Sequence, residues 1–445
     1  VATHWHTHDL RLTDNPALTA AAQDDQLTPI YIWDEDYLAQ YGNHYKSFLK
    51  QRLKELNHEY HERGTHLTLI QGETSRVLNT FSQPVHVNDH AATTKRNQLL
   101  LSPPSNVEIH TDTPIRHETN SEGERAIHQY FNEKPLSTPT LPPNPYPDNY
   151  PTTQPEGIDL STFNKHADQY LNIVSKPFKA HQQTTRLSHH ITHGAISLRE
   201  AHNEIQRIHG DHPVLRRIEW NPRFQQKLTK NPALHKEPIN PYFNENNPYK
   251  EHQELIAAWK NGETGYPLVD ASMKCLKQTG YLNFRMRALT ATFFTHILHQ
   301  PWWIGAQHMH KQLVDAEPGI NYYQWQMQSN TTGYHPLRIY NPTKQAKEND
   351  EQAAFIKKWV PELRGQTVQA CHEPWEHNTS YTERKNVYEE ESKRTRQWYT
   401  DHMTPITNAL TPEVLRKAHL SPRSQERVET LKEKHQNTTL HDHLT

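Results

Sequence analysis

Apolar and polar positions alternate in short blocks over the first 130 residues and then change rhythm. TPIYIWD (residues 28–34), HLTLIQGE (66–73) and PVHVND (84–89) are brief runs rich in β-branched, aromatic and leucine side chains, and they predict buried strands. Between the first two, Phe48, Leu49, Leu53, Leu56 and Tyr60 recur near helical spacing. Strand, helix, strand predicts a parallel sheet covered by helices, because a parallel return needs a crossover. Residues 135–157, PLSTPTLPPNPYPDNYPTTQPEG, carry many prolines and no apolar period, and predict a long surface linker. Beyond it the pattern becomes helical, as in DLSTFNKHADQYL (159–171) and LNFRMRALTATFFTHILH (282–299). In the latter, Leu282, Met286, Leu289, Phe293 and Ile297 return every three or four residues and predict one buried face. The fold class expected is an α/β N-terminal domain with a Rossmann-like parallel sheet (1–130), a linker (131–158) and a large all-helical domain (159–445). After Thr379 the chain is polar; ESKRTRQWY and ETLKEKHQ predict solvated helices, and TTLHDHLT a frayed end.

Composition narrows this further. A chain of 445 residues exceeds one ordinary core, so two domains or one domain with an elaborate second layer are expected, and aromatic residues spread along most of the length show that it can fold. It has no run of 18 apolar residues and no basic segment leading into an apolar one at its start, so the expectation is a soluble, cytoplasmic monomer, nucleoid-associated if prokaryotic. Cys275 and Cys371 are too few for a four-thiolate site, and redox chemistry would need a cofactor. The net charge is −2, yet Lys and Arg outnumber Asp and Glu between Lys176 and Asp315. Such a surplus permits contact with a phosphate backbone, and it also occurs on surfaces that bind nothing. Among 34 histidines the densest sets are His4, His6, His8 and His189, His190, His193; neither has a zinc spacing, and no metal site is expected.

No glycine-rich dinucleotide fingerprint or phosphate loop is present. Instead TGYLNFRMRAL (279–289), LVDAEPGINYYQWQ (313–326), RIYNPTKQ (338–345) and KKWVPEL (357–363) closely resemble, in order and spacing, the FAD-binding domain of the photolyase/cryptochrome family. HDLRLTDNPAL (8–18) is similar to that family's opening motif, and the resemblance runs from residue 3 to about Trp375. It implies an α/β domain able to hold an antenna pigment, a linker, and a helical domain holding FAD.

The resemblance also assigns residues. Thr184, Thr185, Leu187 and Ser188, in TTRLSHH, fall where the family holds the FAD pyrophosphate; taken alone, such a cluster reads first as a helix cap. Arg287 and Asp315 match an ion pair against the flavin rings, Glu317 stands where the family usually has Asp, and Asn321 matches the residue facing flavin N5. Trp325 and Trp302 resemble the inner and middle members of an electron-transfer chain. Tyr249 takes the usual outermost Trp position, with Trp303 or Trp220 as other ends. Trp220 and Glu219 look like a substrate-pocket wall, with Met327 where classical photolyases often have a second Trp. Arg216, Arg217, Arg223 and Lys274 are candidate phosphate contacts.

The activity implied is deoxyribodipyrimidine photolyase, a carbon–carbon lyase that uses light and reduced FAD to split cyclobutane pyrimidine dimers in damaged DNA. The alternative is a cryptochrome-like photoreceptor. His6-Thr7-His8 replaces the aromatic and two basic residues most members carry, so an antenna, whether folate or deazaflavin, is unassigned, and Arg11 and Asp14 read as structural ties.

Overall fold

The computed structural model describes residues 1–91, 99–420 and 424–433; the predicted frayed end, 438–445, lies outside the described residues. The chain divides into two compact units. The first comprises residues 1–167, 185–232 and 310–320, and the second 168–184, 233–309 and 321–445. The proline-rich segment therefore lies inside the first unit. Among the described residues no helix is long and apolar enough to cross a membrane.

In the first unit, five parallel strands, β1 (Ala2–His6), β2 (Leu27–Trp33), β3 (Thr68–Gln71), β4 (Val85–Asn88) and β5 (Val107–His110), form a sheet of order β3-β2-β1-β4-β5. Side chains alternate across a strand, so the two faces separate by chemistry. Trp5, Ile30, Ile32, Val85, Val87 and Val107 fill a core on one face. The intervening positions place His4, His6, His86, Asn88, Glu108 and His110 on the other. The helix Pro16–Ala21 is capped by Asn15 and starts with proline, which suits a first helical position. The helix Asn43–His61 buries Leu49, Leu53, Leu56 and Tyr60. Phe48 is only half-buried and turns instead to the rings of His189, His190 and His193.

Residues 135–157 form an ordered strap on this unit. Asn149 exchanges two hydrogen bonds with the backbone of Leu69, at 2.9 and 3.0 Å, which closes part of the free edge of β3. Asn57 donates to Tyr150 O at 2.6 Å and Leu27 N to Pro143 O at 3.3 Å. Asp14, at φ 47°, is a second tie: its buried carboxylate accepts from Ser197 Oγ (2.5 Å), Leu136 N (2.9 Å) and both Nη2 and Nε of Arg199. Burial alone would raise the Asp14 pKa, but the Arg199, Ser197 and Leu136 donors hold it below the usual carboxylate range.

The second unit is helical. Its centre is Phe284–His296, predicted to bury one face but buried nearly all round from Ala288 to His296. The threonines make this tolerable: Thr290, Thr292 and Thr295 return their hydroxyls to the carbonyls of Met286, Leu289 and Ala291. In RIYNPTKQ, Asn341 caps the helix Pro342–Asn349, and in KKWVPEL the helix Ala354–Trp359 ends ahead of Pro361, as a proline boundary dictates. ESKRTRQWY is not wholly solvated, because the helix Tyr388–Asn408 buries Thr395 and Tyr399, whose hydroxyls reach His296 O and Ser329 O at 2.8 Å.

Candidate functional site

In the second unit, Asn321 and Trp325 stand one turn apart on the helix Pro318–Gln328 and are both buried. Asn321 Nδ2 donates to Ala306 O at 3.0 Å, which fixes the amide. Trp325 is held by shape. A Cβ on Gly305 would lie 2.3 Å from its Cη2, so only glycine lets the helix Trp302–Gln312 approach the indole this closely. Trp302 is buried too, and meets Trp303 edge-on with ring centroids 6.3 Å apart. Arg287, in the first turn of Phe284–His296, is half-buried and donates from Nε to Leu282 O at 2.6 Å. Met327 is half-buried. Thr184 donates its hydroxyl proton to Ala180 O at 2.8 Å, closing the helix Pro177–Gln183.

Tyr249, the candidate outer member of the path, hydrogen-bonds His296. His296 Nε2 is 2.9 Å from Gln328 O, a carbonyl that can only accept, so Nε2 carries the proton and Nδ1 accepts from the Tyr249 hydroxyl at 3.1 Å. Burial pushes the Tyr249 phenol well up and the His296 imidazole down to about 3. Trp259 was not singled out by the sequence, where it lies in an ordinary amphipathic helix, Gln253–Asn261. It is fully buried, anchored by Nε1 to Thr290 O at 3.1 Å, and its ring centroid is 6.0 Å from that of Trp325. Only its helical spacing was visible beforehand, and that marks a core residue.

Asp315, Glu317, Thr185, Leu187 and Ser188 belong to the first unit, so the expected Arg287–Asp315 pair is divided between units. Thr185 Oγ1 accepts from Leu187 N at 3.5 Å, and the short helix starts at Ser188, which is exposed, while Leu187 is buried. Asp315 and Glu317 are buried. Burial raises the Glu317 carboxyl to about 8 against a lowering bond from Gly319 N, so it is mainly protonated at neutral pH. Burial also lowers His189 to about 4, opposed by the charge of Asp315.

The helix Pro213–Lys230 carries the candidate DNA contacts. Trp220 is 43% exposed and packs on Phe224, and Arg216 and Arg217 are exposed beside it. Arg223 lies 5.4 Å over the Trp220 ring and chelates Glu124 at 2.7–3.0 Å, so its charge is already matched. Glu219 faces His202 Nε2 at 3.3 Å. In the second unit Lys274 approaches Glu362 at 3.8 Å. A polar cavity of about 50 Å³ sits past the C-terminal ends of β1, β4 and β5, lined by His8, Arg11, His90, Asp112, Ser197 and Glu317. Strand order reverses between β1 and β4, where open α/β sheets leave a crevice. Here the ion pair Arg11–Asp112, at 2.7 Å, stands in it.

Residues 214–409 match the family described as the FAD binding domain of DNA photolyase, and residues 2–96 match DNA photolyase. The chain belongs to the photolyase/cryptochrome family. It is 32% identical over 221 residues to a deoxyribodipyrimidine photo-lyase of Salmonella typhimurium, an alignment covering 47% of this chain and 46% of that one. To a cryptochrome DASH of Natronomonas pharaonis it is 24% identical over 442 residues, 84% of this chain and 92% of that one. The crystal structure of an archaeal photolyase from Sulfolobus tokodaii, with two FAD molecules, superposes with a TM-score of 0.75 at 24% identity, over 90% of this chain and 99% of that one, which shows the shared fold. The N-terminal parallel sheet and the large helical region are thus the two parts of a photolyase fold, and the helical part is an FAD-binding domain.

Each unit holds buried polar atoms among or beside the residues assigned to the flavin that lack a partner in the protein. Trp302 Nε1, Trp325 Nε1 and Gln324 Oε1 in the second unit, and His189 Nδ1 and Glu317 Oε1 in the first, are buried polar atoms with no hydrogen bond inside the protein. Buried donors and acceptors left in this state suit a ligand that offers both kinds of partner. The cavity at the sheet is a different case. About 50 Å³ is room for a few water molecules, and a pigment of fused rings does not fit it.

Proposed function

We propose that the protein repairs cyclobutane pyrimidine dimers in damaged DNA by light-driven electron transfer, as a deoxyribodipyrimidine photolyase. The observation that carries this reading is the buried pair Asn321 and Trp325 on one helix inside the region matching the FAD-binding domain, with Trp302 buried in the same unit. FAD, when bound and reduced, supplies the light-absorbing one-electron donor. Arg287, Asp315, Glu317 and Asn321 would hold its ring system, and Thr184, Thr185, Leu187 and Ser188 its phosphates. Asn321 presents a neutral amide that donates and accepts, which tolerates a change of cofactor charge without a competing one. Trp325 and Trp302 form the reducing path, with Tyr249 or Trp303 at its end.

On the substrate side, a flipped dimer needs an apolar wall, polar groups for its exposed edges, and cations for the flanking phosphates. Trp220 is the candidate wall and Glu219 a polar edge, with Arg216 and Arg217 for the charge and Arg223 holding the Trp220 face through its bond to Glu124; Met327 is the candidate apolar contact of the second unit. Splitting the two inter-base bonds involves no net redox change, and no acid/base pair is required of the protein. A folate or deazaflavin antenna is not assigned to the 50 Å³ cavity.

The test is repair of a dimer-containing oligonucleotide by the photoreduced protein under blue light. Turnover is expected. Normal flavin content with no turnover would refute repair and favour a photoreceptor, the second reading, which rests on the similarity to a cryptochrome DASH.

A further inference from the structure

Two groups of histidine and carboxylate lie on the polar face of the sheet, and their surroundings differ. His4, His6 and Asp9 are fully buried, and apart from His4 Nδ1 their side-chain polar atoms are engaged. Asp9 accepts from Thr7 N (2.7 Å), Asn88 Nδ2 (2.7 Å) and Asn15 Nδ2 (3.1 Å), while His6 spans Asp9 O (2.9 Å) and Tyr60 Oη (2.7 Å). That group is a closed network tying the first loop to the sheet. The second group, His86, Glu108 and His110, is partly open to solvent, with Glu108 59% exposed.

We propose that His86, Glu108 and His110 form a binding site for a divalent transition-metal ion of the zinc class. The backbone places the three. His86 is paired with Glu108 across β4 and β5, and His110 lies two residues further, so all three project from one face while Val87 and Ile109 pack on the other. His86 Nδ1 is 3.0 Å from His110 Nε2 and 3.5 Å from Glu108 Oε2. A tetrahedral ion with bonds of about 2.0–2.2 Å sets its ligand atoms roughly 3.3–3.6 Å apart, so small side-chain rotations bring these three onto one ion. Two imidazoles and a carboxylate are the ligand set such ions prefer, and three protein ligands leave a fourth position for water. β5 is the outer strand, so a bound ion would clip the sheet's edge to β4.

The competing arrangement is a metal-free His86–His110 hydrogen bond with Glu108 as counter-ion. To separate them, the EDTA-treated full-length protein is titrated with Zn2+, and with Co2+ followed by its visible absorption. One tight equivalent is expected, with the intense bands of a tetrahedral site. E108Q alters only an exposed carboxylate and should fold normally. It and H110Q should each weaken binding at least about tenfold, since losing even an outer-shell partner does that much. H128Q, at an exposed histidine elsewhere, should leave it unchanged. Equal uptake by wild type and the H86Q/H110Q double variant, or a crystallographic zinc anomalous peak on other residues, would overturn the proposal.

Discussion

Gly305→Ala puts the candidate electron path under direct mechanical test. The added Cβ would lie 2.3 Å from Trp325 Cη2, 2.6 Å from Cζ3 and 2.9 Å from Phe294 Cδ1, where ordinary contacts begin near 3.4 Å. The indole must retreat by about 1 Å, and it has nowhere to go: it is 2% exposed, with Trp259 and Phe294 both at 6.0 Å between centroids. Overpacking of this kind costs about 1–3 kcal/mol. Alanine also improves a helix interior by about 0.8–1.0 kcal/mol over glycine, so the net loss should be roughly 0–2 kcal/mol. A double-mutant cycle isolates the clash. In a Trp325→Phe background the second ring is gone and only the Phe294 contact remains, so Gly305→Ala should become nearly neutral. Urea denaturation of the four proteins should give a coupling of about 1 kcal/mol or more. An equal loss in both backgrounds would refute the packing described for Trp325. Light-driven bleaching of the bound flavin should slow in both single variants.

Asp14→Ala leaves Arg199 buried and served only by the half-exposed Glu133, and should destabilise by about 3–5 kcal/mol in urea titrations. Its pH signature has a definite sign: the folded pKa is depressed, so the wild-type advantage is present above pH 3.8 and lost as pH falls below it. Glu317 behaves oppositely. Its folded pKa of about 8 exceeds the unfolded 4.5, so wild-type stability should decline by up to about 1.4 kcal/mol per unit as pH rises between those values, and Glu317→Gln should flatten that slope in pH-stepped melts. Trp220→Ala, at an exposed ring, should change stability by less than about 1 kcal/mol. It should weaken binding of a dimer-containing oligonucleotide by about 1–3 kcal/mol, the range of one aromatic–base stack, read by fluorescence anisotropy.

The strands β2, β3 and β4 and the helix Asn43–His61 were legible because each is an uninterrupted periodic run, and period is set by local geometry. β1 and β5 were not read as strands. ATHWH and VEIH alternate with histidine and glutamate, which looks polar in sequence; in β1 the histidines are buried beside Asp9 and Asn15, while in β5 Glu108 stays exposed. The role of residues 135–157 was hidden for a related reason: a strap held by Asn side chains and backbone carbonyls has no apolar signature. At the site, Asn321 and Trp325 stood out through motif order. Trp259 and Gly305 did not, because what distinguishes them is contact with Trp325, and contact across helices leaves no mark in one-dimensional spacing.

The depth at which imidazoles are packed has a consequence for survival in acid. Burial lowers the pKa of His4 to about 4 and of His193 and His296 to about 3. Unfolded, each would take up a proton near pH 6.5. Their contribution is therefore intact above pH 6.5 and erodes as pH drops toward the folded values, by up to about 1.4 kcal/mol per unit for each ring. One unit of acidification removes at most about 4 kcal/mol from three rings, against a total of about 5–15 kcal/mol for a typical fold. Acidification from neutral pH therefore weakens the fold through these rings, while Glu317, whose slope runs the other way, opposes the loss over the same range.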